Sequence, residues 1–198
     1  MNSLSVPSLL SLSGASLAPS ALERSSLVIV DAQMEYVTGS LPLAGVGAAL
    51  EEIAALLDLA RSRHVPVIHV VHHSPPGRGL FDPTGPYAAI APQAAPIAGE
   101  AVVVKTLPNS FAGTDLLDHL KAAGRPELIL AGFMTHNCIA ATSMAAVDHG
   151  YRNTIVASAT ATRDLPGAPA VMVQQGVLAG LADRCAIIAP GVSAYSGL

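Results

Sequence analysis

Six short runs rich in β-branched and other apolar residues recur along this chain, set apart by longer stretches, and this alternation restricts its fold more than any other feature. The runs are Leu27–Asp31, Pro66–Val71, Ala101–Val104, Glu127–Ala131, Asn153–Ala157 and Ala186–Ile188. Most are continuously apolar rather than alternating, as expected of strands covered on both faces. Ala- and Leu-rich helical patterns lie among them at about Val46–Ser62, Gly113–Ala123, Asn137–His149 and Ala168–Ala182. Each ends near a Gly, Arg or His that suits a helix C-terminus. Strands joined through helices build a parallel sheet by right-handed crossovers. The expected fold class is therefore α/β: a three-layer α/β/α sandwich with a mostly parallel, Rossmann-like sheet of about six strands.

A chain of 198 residues can bury one core without splitting. Residues 21–198 are read as a single domain, and residues 1–20 as an N-terminal arm or tail. The start, MNSLSVPSLLSLSGASLAPSAL, lacks the basic and sustained apolar regions of a secretory signal. No later apolar run spans a bilayer without Gly, Pro or charge. Only 12% of residues are charged against 51% hydrophobic, so part of the surface is expected to be hidden in a homo-oligomer, a dimer or larger. A net charge of -4, with Lys105 and Lys121 as the only lysines, leaves no basic patch for nucleic acid or an anionic membrane. The partner expected instead is a small-molecule substrate. Cys138 and Cys185 make no disulfide framework, which suits a reducing, cytoplasmic setting.

In open parallel sheets the ligand crevice lies at the carboxyl ends of the strands. The first strand ends in Asp31, the third runs into Lys105, and the fourth runs out through GFMTHN to Cys138, where a helix is expected to begin. An acid, an ammonium and a thiol thus share one edge. A thiol at a helix N-terminus beside a lysine is expected to have its thiolate stabilised. A carboxylate within reach can take the thiol proton and later activate water. Backbone N–H groups at the turn before Cys138 can form an oxyanion hole. His72 to Pro96, dense in Pro and Gly, reads as a long loop, and loops of that length are usually functional.

The segments LVIVDAQMEYV, VVVKTLPNSFAGTDL and LAGFMTHNCIAATSMAAVDHGY resemble the isochorismatase-like cysteine hydrolases, and the resemblance runs from about Leu27 to Ala189. It implies a catalytic triad of Asp31, Lys105 and Cys138. It also implies a cis peptide bond between Phe133 and Met134, with the Met134 and Cys138 amides facing the oxyanion. Nicotinamidases and N-carbamoylsarcosine amidohydrolases of this family hydrolyse C–N bonds. True isochorismatases cleave a vinyl ether and have a small residue in place of the Cys. Keeping Cys138 therefore favours a small amide or related C–N bond, cleaved through a thioester. The alternatives are an ester or vinyl ether on the same fold, or a member that binds partners without turnover.

Four further residues are candidates for substrate binding. Gln33 recurs in the family and either meets substrate or braces the site. His136 and Asn137 precede the thiol, and Asn137 serves either substrate or a helix cap. Arg163 stands where some related amidohydrolases bind a substrate carboxylate, and its alternative is surface solvation. Related nicotinamidases carry a metal held by an Asp-x-His pair. Here the corresponding text is VIHVVHHSPPGRG, with His69, His72 and His73 but no such pair, so neither a metal nor an organic cofactor is expected.

Overall fold

The computed structural model describes residues 6–195. Its strands are β1 (Ser25–Val30), β2 (Val67–His72), β3 (Ala101–Lys105), β4 (Glu127–Phe133), β5 (Arg152–Ala161) and β6 (Ile187–Ala189). Its helices are α1 (Leu9–Leu12), α2 (Val46–Ser62), α3 (Leu116–Ala123), α4 (Ala140–Asp148) and α5 (Ala170–Arg184). The six strands form one sheet in the order β3-β2-β1-β4-β5-β6, and every pairing is parallel. The expected α/β/α sandwich is thus present.

Two apolar clusters lie on opposite faces of the sheet. Ala49, Leu50, Ile53, Leu56, Leu57 and Ala60 recur at three- and four-residue spacing and line the buried face of α2. They pack on Leu27, Ile29, Ile129 and Ala131. The other cluster joins Val28, Val30, Leu128 and Leu130 to Leu116 and Leu120 of α3, Ala145 and Ala146 of α4 and Leu181 of α5. Each fully buried Leu or Ile stabilises the fold by about 1.5–3 kcal/mol before conformational entropy is counted. Alternate residues of one strand serve opposite clusters, the two-residue period of a pleated strand.

Some boundaries differ from the sequence reading. The strand expected at Asn153–Ala157 continues to Ala161, because the ladder shifts register between Leu130 and Gly132 and resumes at Gly132 with Thr160. The polar Ser158 and Thr160 concealed this continuation. The expected helix from Asn137 starts earlier, as a π turn over Thr135–Ile139 that passes into α4. α3 begins at Leu116 rather than Gly113, after a turn in which Gly113 has a φ of 70° and Thr114 Oγ1 donates to the Ser110 carbonyl over 2.6 Å. β3 is not covered on both faces: as an edge strand it leaves Val102 and Val104 about half exposed.

Residues 1–5 of the expected arm lie outside the described residues. The rest packs on the body: the Leu9 amide donates to Asp183 Oδ1 over 2.9 Å, and the buried Ser20 amide donates to Thr154 Oγ1 over 2.8 Å. Arg152 also donates to the carbonyls of Ser16 and Ala18. No helix among the described residues is long and apolar enough to cross a membrane.

Candidate active site

The strand order reverses direction between β1 and β4, and the chain leaves the carboxyl ends of these neighbours by diverging paths. A crevice opens at such a switch point. Asp31 follows β1 with a φ of 51°, a left-handed conformation that Asp tolerates better than most residues. Its amide donates to the Val70 carbonyl over 2.8 Å. Beside it β4 ends at Phe133, the Phe133–Met134 bond is cis, and the π turn brings up Cys138. Single π turns within helices recur at functional sites. Lys105 comes from β3, two strand spacings away at about 10 Å, and its four-carbon stem crosses the end of β2 to reach the other two.

The three side chains meet out of solvent. Asp31 is 0%, Lys105 1% and Cys138 4% exposed. Lys105 Nζ lies 2.7 Å from Asp31 Oδ2 and donates to Cys138 Sγ over 3.2 Å. Asp31 Oδ1 has no hydrogen-bond partner among the described residues, and Oδ2 is held by the ion pair with Lys105.

Electrostatics reverse one expectation. The sequence reading anticipated a thiol pKa lowered by the helix terminus and Lys105. Instead burial, followed by the negative charge of Asp31, pushes the Cys138 thiol up to about 12, with Lys105 opposing them. Burial also raises the Asp31 carboxyl, again against Lys105. Desolvation penalises each charged form, so burial favours the protonated thiol and the protonated carboxyl alike.

Aromatic rings screen this group. Tyr36 meets Phe81 edge-on with ring centres 5.2 Å apart and Phe133 at 5.8 Å, while Phe81 meets His72 at 5.1 Å. Phe81 belongs to the long loop after β2, and its amide donates to Glu35 Oε2 over 3.2 Å. The buried Glu35 also accepts from the Ser40 amide over 2.6 Å. The loop therefore covers the crevice, and a carboxylate beside it ties it down. Nothing in the sequence reading singled out Tyr36 or Glu35.

The remaining candidates divide. Gln33 is fully buried and its amide is committed to main chain: Nε2 donates to the carbonyls of His72 and Ala88, and Oε1 accepts from the His72 amide over 2.8 Å. It holds the end of β2 and the long loop together, which is the bracing alternative. His136 and Asn137 are half-buried beside the thiol, and His136 Nδ1 is hydrogen-bonded to Thr162 Oγ1. Asn137 lies inside this turn, whose N-cap is Met134. Arg163 is exposed and contacts the Asp164 carbonyl over 3.3 Å. Its charge, after burial, lowers the pKa of His136.

The three histidines near β2 do not converge. His69 lies on the opposite face of the sheet from Lys105, with Nε2 2.9 Å from Glu100 Oε2. His72 turns toward Lys105, Nζ to Nδ1 3.3 Å, and the His73 amide donates to the Lys105 carbonyl. Among the described residues no three His, Cys, Asp or Glu stand close enough to hold a metal ion. These side chains do not fit the metal site of the related nicotinamidases.

Asp31, Lys105 and Cys138 thus stand together, buried, at the switch point of a parallel sheet. The chain belongs to the isochorismatase family: the Isochorismatase domain model matches residues 25–188. A secreted isochorismatase effector of Verticillium dahliae is 37% identical over 80% of this chain and 84% of its own. A maleamate amidohydrolase of Pseudomonas putida is 34% identical over 66% of this chain and 69% of its own. Among solved structures, an isochorismatase from Pseudomonas putida superposes with a TM-score of 0.90 at 41% identity, covering 95% of this chain and 99% of that one.

Proposed function

We propose that this hydrolase cleaves a small amide or related C–N bond through a thioester on Cys138. The observation that carries the reading is the buried contact of Lys105 with both Cys138 Sγ and Asp31 Oδ2. Asp31 takes the thiol proton, and Lys105 stabilises the thiolate. Sulfur attacks the carbonyl carbon, while the Met134 and Cys138 amides receive the oxyanion. The tetrahedral adduct collapses as Asp31 returns the proton to the departing nitrogen, releasing ammonia or an amine. Water then gives a proton to Asp31 and attacks the thioester, and the acid product leaves as the thiol regains its proton.

The similarity to maleamate amidohydrolase supports both the C–N bond and a substrate bearing a carboxylate. Arg163, an exposed cation whose charge acts on His136, suits that group, because a guanidinium pairs with a carboxylate in two parallel hydrogen bonds. The similarity to an isochorismatase effector favours the second reading, a vinyl ether cleaved by the same fold. Two free cysteines support a cytoplasmic setting, and exposed Val102 and Val104 on the edge strand support a homo-oligomer.

Ammonia release across small amides, ureides and carbamoyl compounds tests the reading, with Cys138→Ala and EDTA-treated protein in parallel. Ammonia that needs Cys138 and survives EDTA is the expected result. Release by Cys138→Ala at the wild-type rate overturns it. Silence on every amide with turnover of a vinyl ether establishes the second reading.

A further inference from the structure

Lys105 is held by one more acceptor than the acid and the thiol provide. An ammonium has three hydrogens, and three acceptors surround Nζ: Asp31 Oδ2 at 2.7 Å, Cys138 Sγ at 3.2 Å and His72 Nδ1 at 3.3 Å. We propose that His72 is a positioning residue of this site, taking the third ammonium hydrogen on Nδ1 and so aiming the other two at Asp31 and Cys138. The inference rests on the reading of Cys138 as nucleophile and adds what fixes the lysine between its partners.

Only a neutral imidazole with its proton on Nε2 can accept at Nδ1. His72 meets that condition, because burial, then the charges of Lys105 and His73, lower its pKa to about 4. Its backbone is gripped on both sides by Gln33, which accepts from its amide and donates to its carbonyl. In the β2–β3 ladder His72 is the register partner of Lys105, so the imidazole stands beside the lysine as that side chain sets out. The Phe81 ring closes the other side, 5.1 Å away between ring centres. Without the imidazole acceptor one hydrogen of a buried ammonium has no partner, and the flexible stem is free to turn away from the thiol.

Alkylation of Cys138 by iodoacetamide, followed by mass spectrometry of the Cys138 peptide, reports the thiol without requiring turnover. His72→Leu is expected to slow alkylation about tenfold, since a hydrogen bond to a charged group is lost. His72→Asn is expected to return the rate to within about twofold, because Oδ1 of Asn offers an acceptor near the place of Nδ1. Asn does not replace the ring against Phe81, so its rescue separates an acceptor from a packing role. In the wild-type protein, nitrogen-15 NMR of the imidazole is expected to show the proton on Nε2 at neutral pH. Leu at the wild-type rate, Asn as slow as Leu, or a proton on Nδ1 overturns the proposal, and the NMR result decides if the Leu variant does not fold. Failure to release ammonia from any amide refutes the proposed reaction while leaving these outcomes intact.

Discussion

Lys105 donates to Cys138 Sγ over 3.2 Å in a place where the lysine is 1% and the cysteine 4% exposed. The Asp31 carboxyl, itself buried, lies 2.7 Å from the same Nζ. One buried ion pair therefore bears both on the fold and on the reaction proposed for Cys138.

Lys105→Met is expected to abolish turnover and to destabilise the fold by about 3–5 kcal/mol, since it strands a buried carboxylate. Adding Asp31→Asn is expected to recover most of that stability without recovering activity. Urea unfolding of the single and double variants measures both effects. A single variant as stable as the wild type contradicts the coupling.

The thiol pKa of about 12 predicts that the rate of Cys138 alkylation climbs about tenfold per pH unit from pH 7 to pH 10, since only the thiolate reacts. A plateau below pH 9 counts against it. Asp31→Asn removes a negative charge that raises the thiol, so it is expected to speed alkylation at any given pH while abolishing turnover.

On the opposite face of the sheet, burial alone raises the Glu100 carboxyl. Hydrogen bonds from Arg61, the Ile97 amide and His69 overcome that effect and hold it at about 2, below its ordinary value of 4.5. A carboxyl depressed by folding stabilises the native state above its unfolded pKa, and that stability is lost as pH falls through the folded value. Glu100→Gln should therefore be less stable than wild type at pH 6, with the difference shrinking between pH 4.5 and pH 2. Thermal unfolding across that range checks the sign, and a difference that widens toward low pH excludes it.

Gly132 has a φ of 119° next to β1, where an added Cβ would lie 1.9 Å from the Val30 carbonyl oxygen. Neither strand can move without breaking the ladder that aligns Asp31 with Cys138. Gly132→Ala is expected to prevent folding or to cost more than about 4 kcal/mol. Circular dichroism and unfolding settle it, and a variant as stable as the wild type shows that the two strands can part.

Much of this was written in the sequence. Continuous apolar runs fixed which segments are strands, because a strand covered on both faces must be apolar throughout, and α2 falls at the expected Val46–Ser62. Asp31, Lys105 and Cys138 were legible as polar residues ending such runs. His72 bears the same mark at the end of β2, but a histidine among histidines reads as readily as a metal ligand or a surface group. Register and approach distance belong to the folded molecule alone. Only the packed sheet shows that β5 runs past Ser158 after a break in its ladder, that Gln33 spends its amide on His72 and the loop, and that burial outweighs Lys105 at the thiol. The sequence lists local preferences, which act through neighbours along the chain. A pKa, a hydrogen-bond partner and a strand register depend on groups tens of residues apart, and only their packing decides which of them meet.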